Sequence, residues 1–298
     1  MSDEHDVINI RDLRVAFIGV GVMGGAILSA FLRGEGADPR KVTIVASRPE
    51  RVPDQQRRFP GVRVITDAEQ AVMDADLIVL GVKPKDVGGV LQDVRDAFVA
   101  NAEEAVSESV DVRRKILLTV AAGLTTGYYE RRLGPVPVVR AMPNTPAQIG
   151  YGMTAISAGS HADEDDLAVC RALLENTGDV ICVPEKDQDA VSALSGSGPA
   201  YVFAVIDAMA EAGVLLGLTR PTAVRLAAQT VLGSGKMAMD GLESEPTVPP
   251  STLREQVTSP GGTTARALYE LDKAGVRAAF SSALQAAYAR SKELAADD

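Results

Sequence analysis

The stretch that decides the fold is RVAFIGVGVMGGAILSAFLRG, residues 14–34. Its first part is a continuous apolar run of strand length, and GAILSAFLRG has the apolar spacing of a helix that ends at Gly34 or Gly36. Between them lies GVGVMG, residues 19–24, which matches G-x-G-x-x-G. In that pattern the first glycine permits a tight turn, the second lets a pyrophosphate approach, and the third permits close helix packing. The stretch therefore predicts a dinucleotide-binding unit with the pyrophosphate at the helix N-terminus. A glycine turn that binds nothing is the alternative.

The end of the second predicted strand, KVTIVA, indicates which dinucleotide is bound. NAD-dependent proteins usually carry Asp or Glu there, about 20 residues beyond the glycines, to bind the ribose hydroxyls. This chain has Ser47 and Arg48 instead. Because an arginine can hold a 2′-phosphate in a forked, charge-assisted contact, these residues favour NADPH, with NADH as the second choice. Arg48 as a solvated surface charge is the alternative.

Two further predicted strands, in ADLIVLGVKPKDV and KILLTVAAGL, end in small or basic residues. Ligands of doubly wound sheets lie across the carboxyl ends of the strands, so the small residues there are expected to leave room for the ribose and nicotinamide. Lys83 could contact the cofactor, cap a helix or face water. The proline-rich loop that contains Asn144 is either a pocket wall or an ordinary turn.

From about residue 187 helical periodicity replaces the strand pattern. Helices are expected over 187–216 with an interruption at SGSGPAY, and over 221–239, 252–257, 263–273 and 276–295. The predicted fold is α/β, an N-terminal Rossmann-type doubly wound sheet followed by an all-α C-terminal dimerisation domain. So many apolar helix faces favour burial against a second copy of the chain, the alternative being a monomer whose helices pack on the first domain. The predicted divisions are a flexible tail at 1–12, the dinucleotide-binding domain at 13–185 and the helical, substrate-binding domain at 186–298.

Composition excludes several functions. The chain of 298 residues has 40 acidic and 30 basic side chains, a net charge of −10, so nucleic acid is not expected as a partner. The polar, acidic start lacks the features of a secretory signal, and Asp207 and Glu211 interrupt the most apolar long segment, so we expect a cytoplasmic protein that does not span a membrane. The two histidines, His5 and His161, lie outside predicted helices and strands, which argues against a metal site or a Ser-His-Asp triad. The two cysteines lack metal-ligand spacing and are expected to be reduced and buried.

A second glycine pair lies in VTSPGGTT, residues 257–264, between two predicted helices. The N–H groups of Gly262, Thr263 and Thr264 are expected at a helix N-terminus without carbonyl partners, where an anion such as a carboxylate is favoured. Ser259 and Thr264 add hydroxyl groups. The alternative is that Thr263 merely caps its helix.

From about residue 14 to 295 the chain resembles the pyrroline-5-carboxylate reductase family, in FIGVGVMGGAI, RAMPNTPAQIGYG, DAVSALSGSGPAYVF, GLTRPTAVRLAAQTVLGSGKM and QVTSPGGTTARALYEL. The resemblance implies NADPH-dependent reduction of 1-pyrroline-5-carboxylate to L-proline, the last step of proline biosynthesis. It also implies a helical homodimer, alone or as a pentamer of dimers, with active sites built from both subunits. Such a reaction suits the segment VTSPGGTT, which has no acid, base or thiol, because a protonated cyclic imine accepts hydride without a strong protein acid.

The resemblance also implies roles for individual residues. The two catalytic residues would be Ser259 and Thr264, with Thr264 facing the ring nitrogen. Asp67 and the Pro249-Pro250 pair differ from the Asn that family members often carry and from their common His-Pro pair. The substrate-binding residues would be Ser259, Gly261, Gly262, Thr263 and Thr264. The cofactor-binding residues would be Gly19, Val20, Gly21, Val22, Met23, Gly24, Ser47, Arg48, Val82, Lys83, Pro84, Lys85, Ala121, Ala122 and Gly123.

Three other functions share this two-domain plan. A β-hydroxyacid dehydrogenase would place a catalytic lysine on a helix of the second domain, where Lys236 is the one mid-helix lysine. Another imine reductase would differ in substrate alone. A non-catalytic NADP-binding protein would bind the cofactor without turnover.

Overall fold

A computed structural model describes residue 10 and residues 12–35, 37–108 and 115–296 of the chain. His5, Gly36 and most of the predicted tail lie outside the described residues. Within them, the strands form one eight-stranded sheet in the order β3-β2-β1-β4-β5-β6-β7-β8, with neighbours parallel except for the antiparallel pair β6–β7. The strands are β1 Val15–Ile18, β2 Val42–Val45, β3 Arg63–Ile65, β4 Leu77–Leu80, β5 Ile116–Thr119, β6 Val138–Pro143, β7 Gly152–Ala158 and β8 Gly178–Cys182.

The helices of the described residues fall into a set that covers the sheet and a set that follows it. Those up to β8 are α1 Val22–Arg33, α2 Val52–Arg58, α3 Ala68–Met73, α4 Pro84–Glu108, α5 Thr126–Leu133 and α6 Glu164–Leu174. Those after it are α7 Gln188–Val191, α8 Gly198–Leu215, α9 Arg220–Glu243, α10 Pro250–Gln256, α11 Thr263–Lys273 and α12 Val276–Ala296, with a π-helical turn at Ser192–Gly196.

The central strands are buried on both faces, as expected of a parallel sheet covered by helices. Side chains alternate along a strand, so Phe17 packs into one core cluster and its neighbour Ala16 into the other. The first cluster includes residues of α1 and α6, such as Phe31 and Leu173, and the second includes residues of α3, α4 and α5. The predicted doubly wound sheet, followed by a helical region, is confirmed.

The described chain divides into two compact units. One comprises the residues up to Gly196 together with those from Tyr288 onward, and the other is Ser197–Ala287, which is helical throughout apart from its turns. The predicted division at 185/186 stays a prediction.

The helical unit has a small core. Its buried apolar cluster consists of Ala210, Ala223 and Ala227, with Ile206 packed against them. Large apolar side chains are exposed instead, among them Phe203 at 61% and Leu215 at 89%. Such an exposed apolar surface is typical of an interface with another chain.

One helical run of the described residues, Glu185–Leu215, is by length and composition apolar enough to cross a membrane. Only 6% of its most apolar window is buried, and Asp207 and Glu211 interrupt it. Apolar side chains of this run are therefore exposed, which is also the pattern of a helix that a second copy covers.

The two cysteines have different surroundings. Cys170 lies in the core, where burial raises the pKa of its thiol, as expected of an inert residue. The prediction that Cys182 is buried is wrong, because it ends β8 at the far edge of the sheet and is exposed. Its Sγ accepts a hydrogen bond from Nη2 of Arg171 at 3.1 Å.

Candidate active site

The glycine loop between β1 and α1 is packed as the sequence pattern requires. Gly19 has a φ of +91°, and a Cβ built there would lie 2.6 Å from the backbone nitrogen of Val82. A Cβ on Gly24 would overlap the carbonyl oxygen of Gly19 and lie 3.8 Å from Cα of Gly81. A Cβ on Gly21 would meet no atom within 4 Å. The first and third glycines thus permit close packing, while the second faces open space that a ligand can enter.

The N-terminus of α1 offers three backbone donors. Gly21 is the N-cap, has no side-chain cap bond, and accepts the first helical hydrogen bond from Gly25 at 3.0 Å. The N–H groups of Val22, Met23 and Gly24 have no acceptor in the described part of the chain. The first turn also carries no acidic residue. This arrangement fits a pyrophosphate, since the free donors and the helix dipole both favour an anion.

Ser47 and Arg48 follow β2 directly and are exposed. Arg48 is the N-cap of the short 3-10 helix Pro49–Arg51, and within the described ranges its guanidinium has no carboxylate partner. Asp67, after the neighbouring strand, accepts a hydrogen bond from the N–H of Gln70 at 2.9 Å and so caps α3. Arg48 is therefore free to bind an anion, whereas the carboxylate of Asp67 already has a structural role.

The other predicted cofactor segments follow β4 and β5. Lys83, Pro84 and Lys85 are exposed at the start of α4, while Val82 is half-buried. Ala121 is buried, Ala122 is exposed, and Gly123 has a φ of +86°. Because β1, β2, β4 and β5 are parallel, all the predicted cofactor segments lie at the carboxyl edge of one sheet.

The second glycine loop, at the start of α11, belongs to the helical unit. Gly261 has a φ of +69°, and the N–H of Gly262 donates to the carbonyl of Ser259 at 3.0 Å. The prediction that this N–H is free is therefore wrong, because the turn closes on Ser259. Gly262 is the N-cap and has no side-chain cap bond, so the alternative that Thr263 caps the helix is wrong as well.

Three other donors are free in this loop. The first helical bond of α11 runs from Arg266 to Gly262, at 3.2 Å. The N–H groups of Thr263, Thr264 and Ala265 have no acceptor among the residues that the structure places. The Oγ of Ser259 lies so close to Gly262 that a Cβ there would overlap it. Backbone donors and a hydroxyl group thus converge on a helix N-terminus, as a carboxylate site requires.

Two polar clusters lie beside the sheet. The sequence did not predict the first, and it left the role of the second, around Asn144, open. Buried Arg140 on β6 lies 3.4 Å from Oε1 of Glu185, whose carboxylate accepts from the N–H and hydroxyl of Thr126 at 2.7 and 2.6 Å. This cluster holds the start of α5, just after the segment 121–123. The one signal in the sequence was an arginine inside an apolar strand.

Asn144 bonds to Ser195 and to the N–H of Met153, so its loop is held in place on both sides.

Lys236, which a β-hydroxyacid dehydrogenase would use as its catalytic lysine, is exposed on α9. Its ammonium group pairs with Asp240, one turn further along the same helix.

A parallel sheet that carries a free G-x-G-x-x-G helix N-terminus, followed by a helical unit with a second free N-terminus, defines a dinucleotide-dependent oxidoreductase. Comparisons with known proteins narrow this class. Residues 14–123 match the family model described as NADP oxidoreductase, coenzyme F420-dependent, and residues 185–294 match the one described as pyrroline-5-carboxylate reductase dimerisation. The chain belongs to the pyrroline-5-carboxylate reductase family.

Individual relatives are similar to this chain over most of its length. The pyrroline-5-carboxylate reductase of Mycobacterium leprae is 40% identical, covering 94% of this chain and 96% of the relative. A solved structure of the enzyme from Coxiella burnetii has a TM-score of 0.82 at 35% identity, covering 95% and 98% of the two chains. The Plasmodium falciparum pyrroline carboxylate reductase, solved with NADP bound, has a TM-score of 0.79 at 26% identity, covering 96% and 100%. The dimerisation domain in the predicted fold is thereby confirmed.

Proposed function

We propose that this chain reduces the C=N bond of 1-pyrroline-5-carboxylate with a hydride from NADPH and so forms L-proline, the last step of proline biosynthesis. One observation carries the proposal: the chain presents two glycine-capped helix N-termini, each with three free N–H donors, one at α1 and one at α11. A reductase of an anionic imine needs two such anion sites, one for a pyrophosphate and one for a carboxylate. Membership of the family supports the same assignment.

The first site would hold the cofactor. The pyrophosphate would bind the N–H groups of Val22, Met23 and Gly24, approaching over Gly21, where no side chain intervenes. Ser47 and Arg48 would bind the 2′-phosphate, and this contact is the basis of the proposed preference for NADPH over NADH. Residues 82–85 and 121–123 would line the path of the ribose and nicotinamide. NADPH, when bound there, supplies the hydride.

The second site would hold the substrate. Its carboxylate would bind the N–H groups of Thr263 and Thr264 and the hydroxyl of Ser259. Gly261 and Gly262 would contribute by the shape of the turn and not as donors. The hydroxyl of Thr264 would orient the ring nitrogen or relay a proton to it from water. The carbon of the protonated C=N bond gains the hydride, and the nitrogen retains its proton as the amine of proline.

Positioning supplies most of the catalysis in this scheme. Holding the imine carbon in line with the hydride converts an encounter of two molecules into a step within one complex, which is worth several kcal/mol, up to about 7–11 in favourable cases. No strong protein acid is required, because a protonated imine is already electrophilic. The proposal includes a homodimer, because the exposed apolar surface of the helical unit needs a cover. The resemblance to the family extends it to a pentamer of dimers. The cytoplasmic location remains a prediction.

The test is a NADPH-oxidation assay with 1-pyrroline-5-carboxylate, with L-proline identified chromatographically. We expect Thr264→Ala and Ser259→Ala each to lower kcat/KM for the imine about 10–100-fold while the KM for NADPH stays unchanged. The reason is that each variant removes one hydrogen bond to a charged or reacting group, worth about 1.5–3 kcal/mol.

Thr230→Ala is the matched control, since Thr230 is an exposed helical threonine whose hydroxyl bonds to the carbonyl of Leu226. Near-normal turnover by both loop variants would refute the role of the loop. Reduction of the oxo form of a β-hydroxyacid, or of other cyclic imines, in preference to 1-pyrroline-5-carboxylate would favour the competing enzymes. Cofactor binding without any turnover would favour a non-catalytic protein.

A further inference from the structure

A groove of about 600 Å³ lies between α4 and the end of α5. Three arginines line it, Arg95 on α4 and Arg131 and Arg132 on α5. We call it the arginine groove. Its apolar part comes from Leu91 and Leu133.

The positive charge in the arginine groove is largely uncompensated. Arg132 is held in place, because its Nη1 donates to the carbonyl of Tyr128 at 3.1 Å and its guanidinium lies 3.5 Å from the centre of the Tyr128 ring. Arg95 and Arg131 have no carboxylate partner in the part of the chain that the structure describes. The protein as a whole carries −10, so clustered cations without partners run against its overall charge.

The helix dipole explains the positions of only two of the three arginines. Arg131 and Arg132 lie in the last turn of α5, where cations interact favourably with the helix dipole. Arg95 comes from a different helix and lies well inside it, so the dipole of α5 does not explain its position. Arginines from two helices thus line one groove, and the helix dipole does not explain why Arg95 is among them.

Two glycines line the groove, Gly88 on α4 and Gly134, the C-cap of α5, whose φ of +85° favours glycine. A Cβ added to Gly88 would find its nearest neighbour, the hydroxyl of Tyr128, at 3.9 Å, and a Cβ on Gly134 would find none within 4 Å. Gly88 lies within α4, where alanine would be the more favourable residue, so its glycine is not required by the helix. Both positions leave space instead of a side chain.

Arg95 lies away from the predicted cofactor segments. α4 begins at Pro84 at the carboxyl edge of the sheet, and Arg95 follows 95 − 84 = 11 residues later, about 16 Å along the helix at 1.5 Å per residue. α5 likewise begins at that edge and runs back toward β6, with Arg131 and Arg132 in its last turn. Binding of NADPH at the glycine loop therefore does not account for Arg95.

We propose that the arginine groove binds a small oligoanion of the phosphate class, a molecule with two or more phosphate groups. The guanidinium fork matches phosphate oxygens with two parallel hydrogen bonds. Arg95 and Arg131, which have no carboxylate partner in the described chain and come from different helices, can each bind a separate phosphate group. The volume of the groove and the acidic remainder of the protein favour a small molecule over a nucleic acid.

The experiment is calorimetric titration of tripolyphosphate into the full-length protein saturated with NADP⁺, so that the glycine loop is already occupied. We expect one molecule bound per chain. The double variant Arg95→Gln/Arg131→Gln should weaken this binding at least about tenfold, because two charge-assisted contacts are lost. Arg63→Gln is the control, since Arg63 pairs with Asp74 elsewhere on the same unit, and its loss should change the affinity less than about twofold.

Unchanged NADP⁺ affinity and circular dichroism would show that the double variant is folded. A parallel titration with ATP separates the two sources of the anion: equal affinity supports recognition of the phosphates alone, and clearly tighter binding of ATP supports a nucleotide. The proposal is overturned if the NADP⁺-saturated protein binds no tripolyphosphate or if the double variant binds it normally. A change of oligomeric mass in the double variant without binding of tripolyphosphate to the wild type would overturn it too, in favour of contact with a second copy.

Discussion

The two glycine-capped helices, α1 and α11, have the same chemistry at their N-termini and opposite surroundings. Both begin at a glycine without a side-chain cap, and in the described chain both leave three N–H groups without an acceptor. Seven residues of α1 are buried, whereas α11 has none. The loop before α1 packs against the backbone of Gly81 and Val82, while the loop before α11 is closed by a local turn between Ser259 and Gly262.

This difference indicates how each loop becomes a binding site. The loop before α1 is preorganised by its own sheet domain, so its three donors are fixed before a ligand arrives. The loop before α11 belongs to a unit whose core is three alanines and one isoleucine, with large apolar side chains at the surface. We infer that burial against a second copy of the chain gives the helical unit the rigidity that it lacks alone.

The prediction with the largest expected effect concerns the packing of the first loop, and a pair of substitutions tests it. Gly24→Ala should lower the free energy of unfolding by about 1–3 kcal/mol and abolish NADPH binding, because its Cβ would overlap the carbonyl of Gly19. Gly21→Ala should leave the fold intact, because its Cβ meets nothing within 4 Å, and should weaken NADPH binding by narrowing the approach of the pyrophosphate. Thermal unfolding and cofactor titration measure both. Equal stability losses in the two variants would show that this loop is not packed as described.

The second prediction tests the dependence of the helical unit on another copy. Phe203, on α8, is 61% exposed, and Phe203→Glu should shift the protein toward monomers because it places a charge on the apolar surface. Light scattering after size exclusion gives the mass, and circular dichroism should show that the helices persist. Gln229→Glu, at an exposed polar position of α9, adds the same charge and should leave the assembly unchanged. An unaltered mass for Phe203→Glu would place the interface elsewhere.

The sequence predicted the loops better than their surroundings, for physical reasons. The G-x-G-x-x-G pattern and the start of α11 at Thr263 depend on neighbouring residues, so local rules find them. The bond from Gly262 to Ser259 depends on the left-handed conformation of Gly261, which the residue type permits but does not dictate.

The sequence did not predict contacts between residues that are far apart in the chain. Arg140 and Glu185 are 45 residues apart, and only the folded sheet brings them together. The exposure of Cys182 follows from its place on an edge strand, which depends on the order of the strands. Helical periodicity likewise identified the apolar faces of α8 and α9 without identifying what covers them.

The prediction with the smallest expected effect concerns the difference in charge between the two loops. Arg48, with no carboxylate partner in the described chain, follows the strand beside the first loop, whereas the second offers N–H groups and hydroxyls. Arg48→Ala leaves the N-terminus of α1 unchanged, so it should lower kcat/KM with NADPH about tenfold and hardly alter the value with NADH, which lacks the 2′-phosphate. Arg51→Ala is the control, a similarly exposed arginine three residues further on. Kinetics with both cofactors give the ratio. If it stays constant, the helix N-terminus alone binds the cofactor phosphates, and the two loops are more alike than the charge of Arg48 suggests.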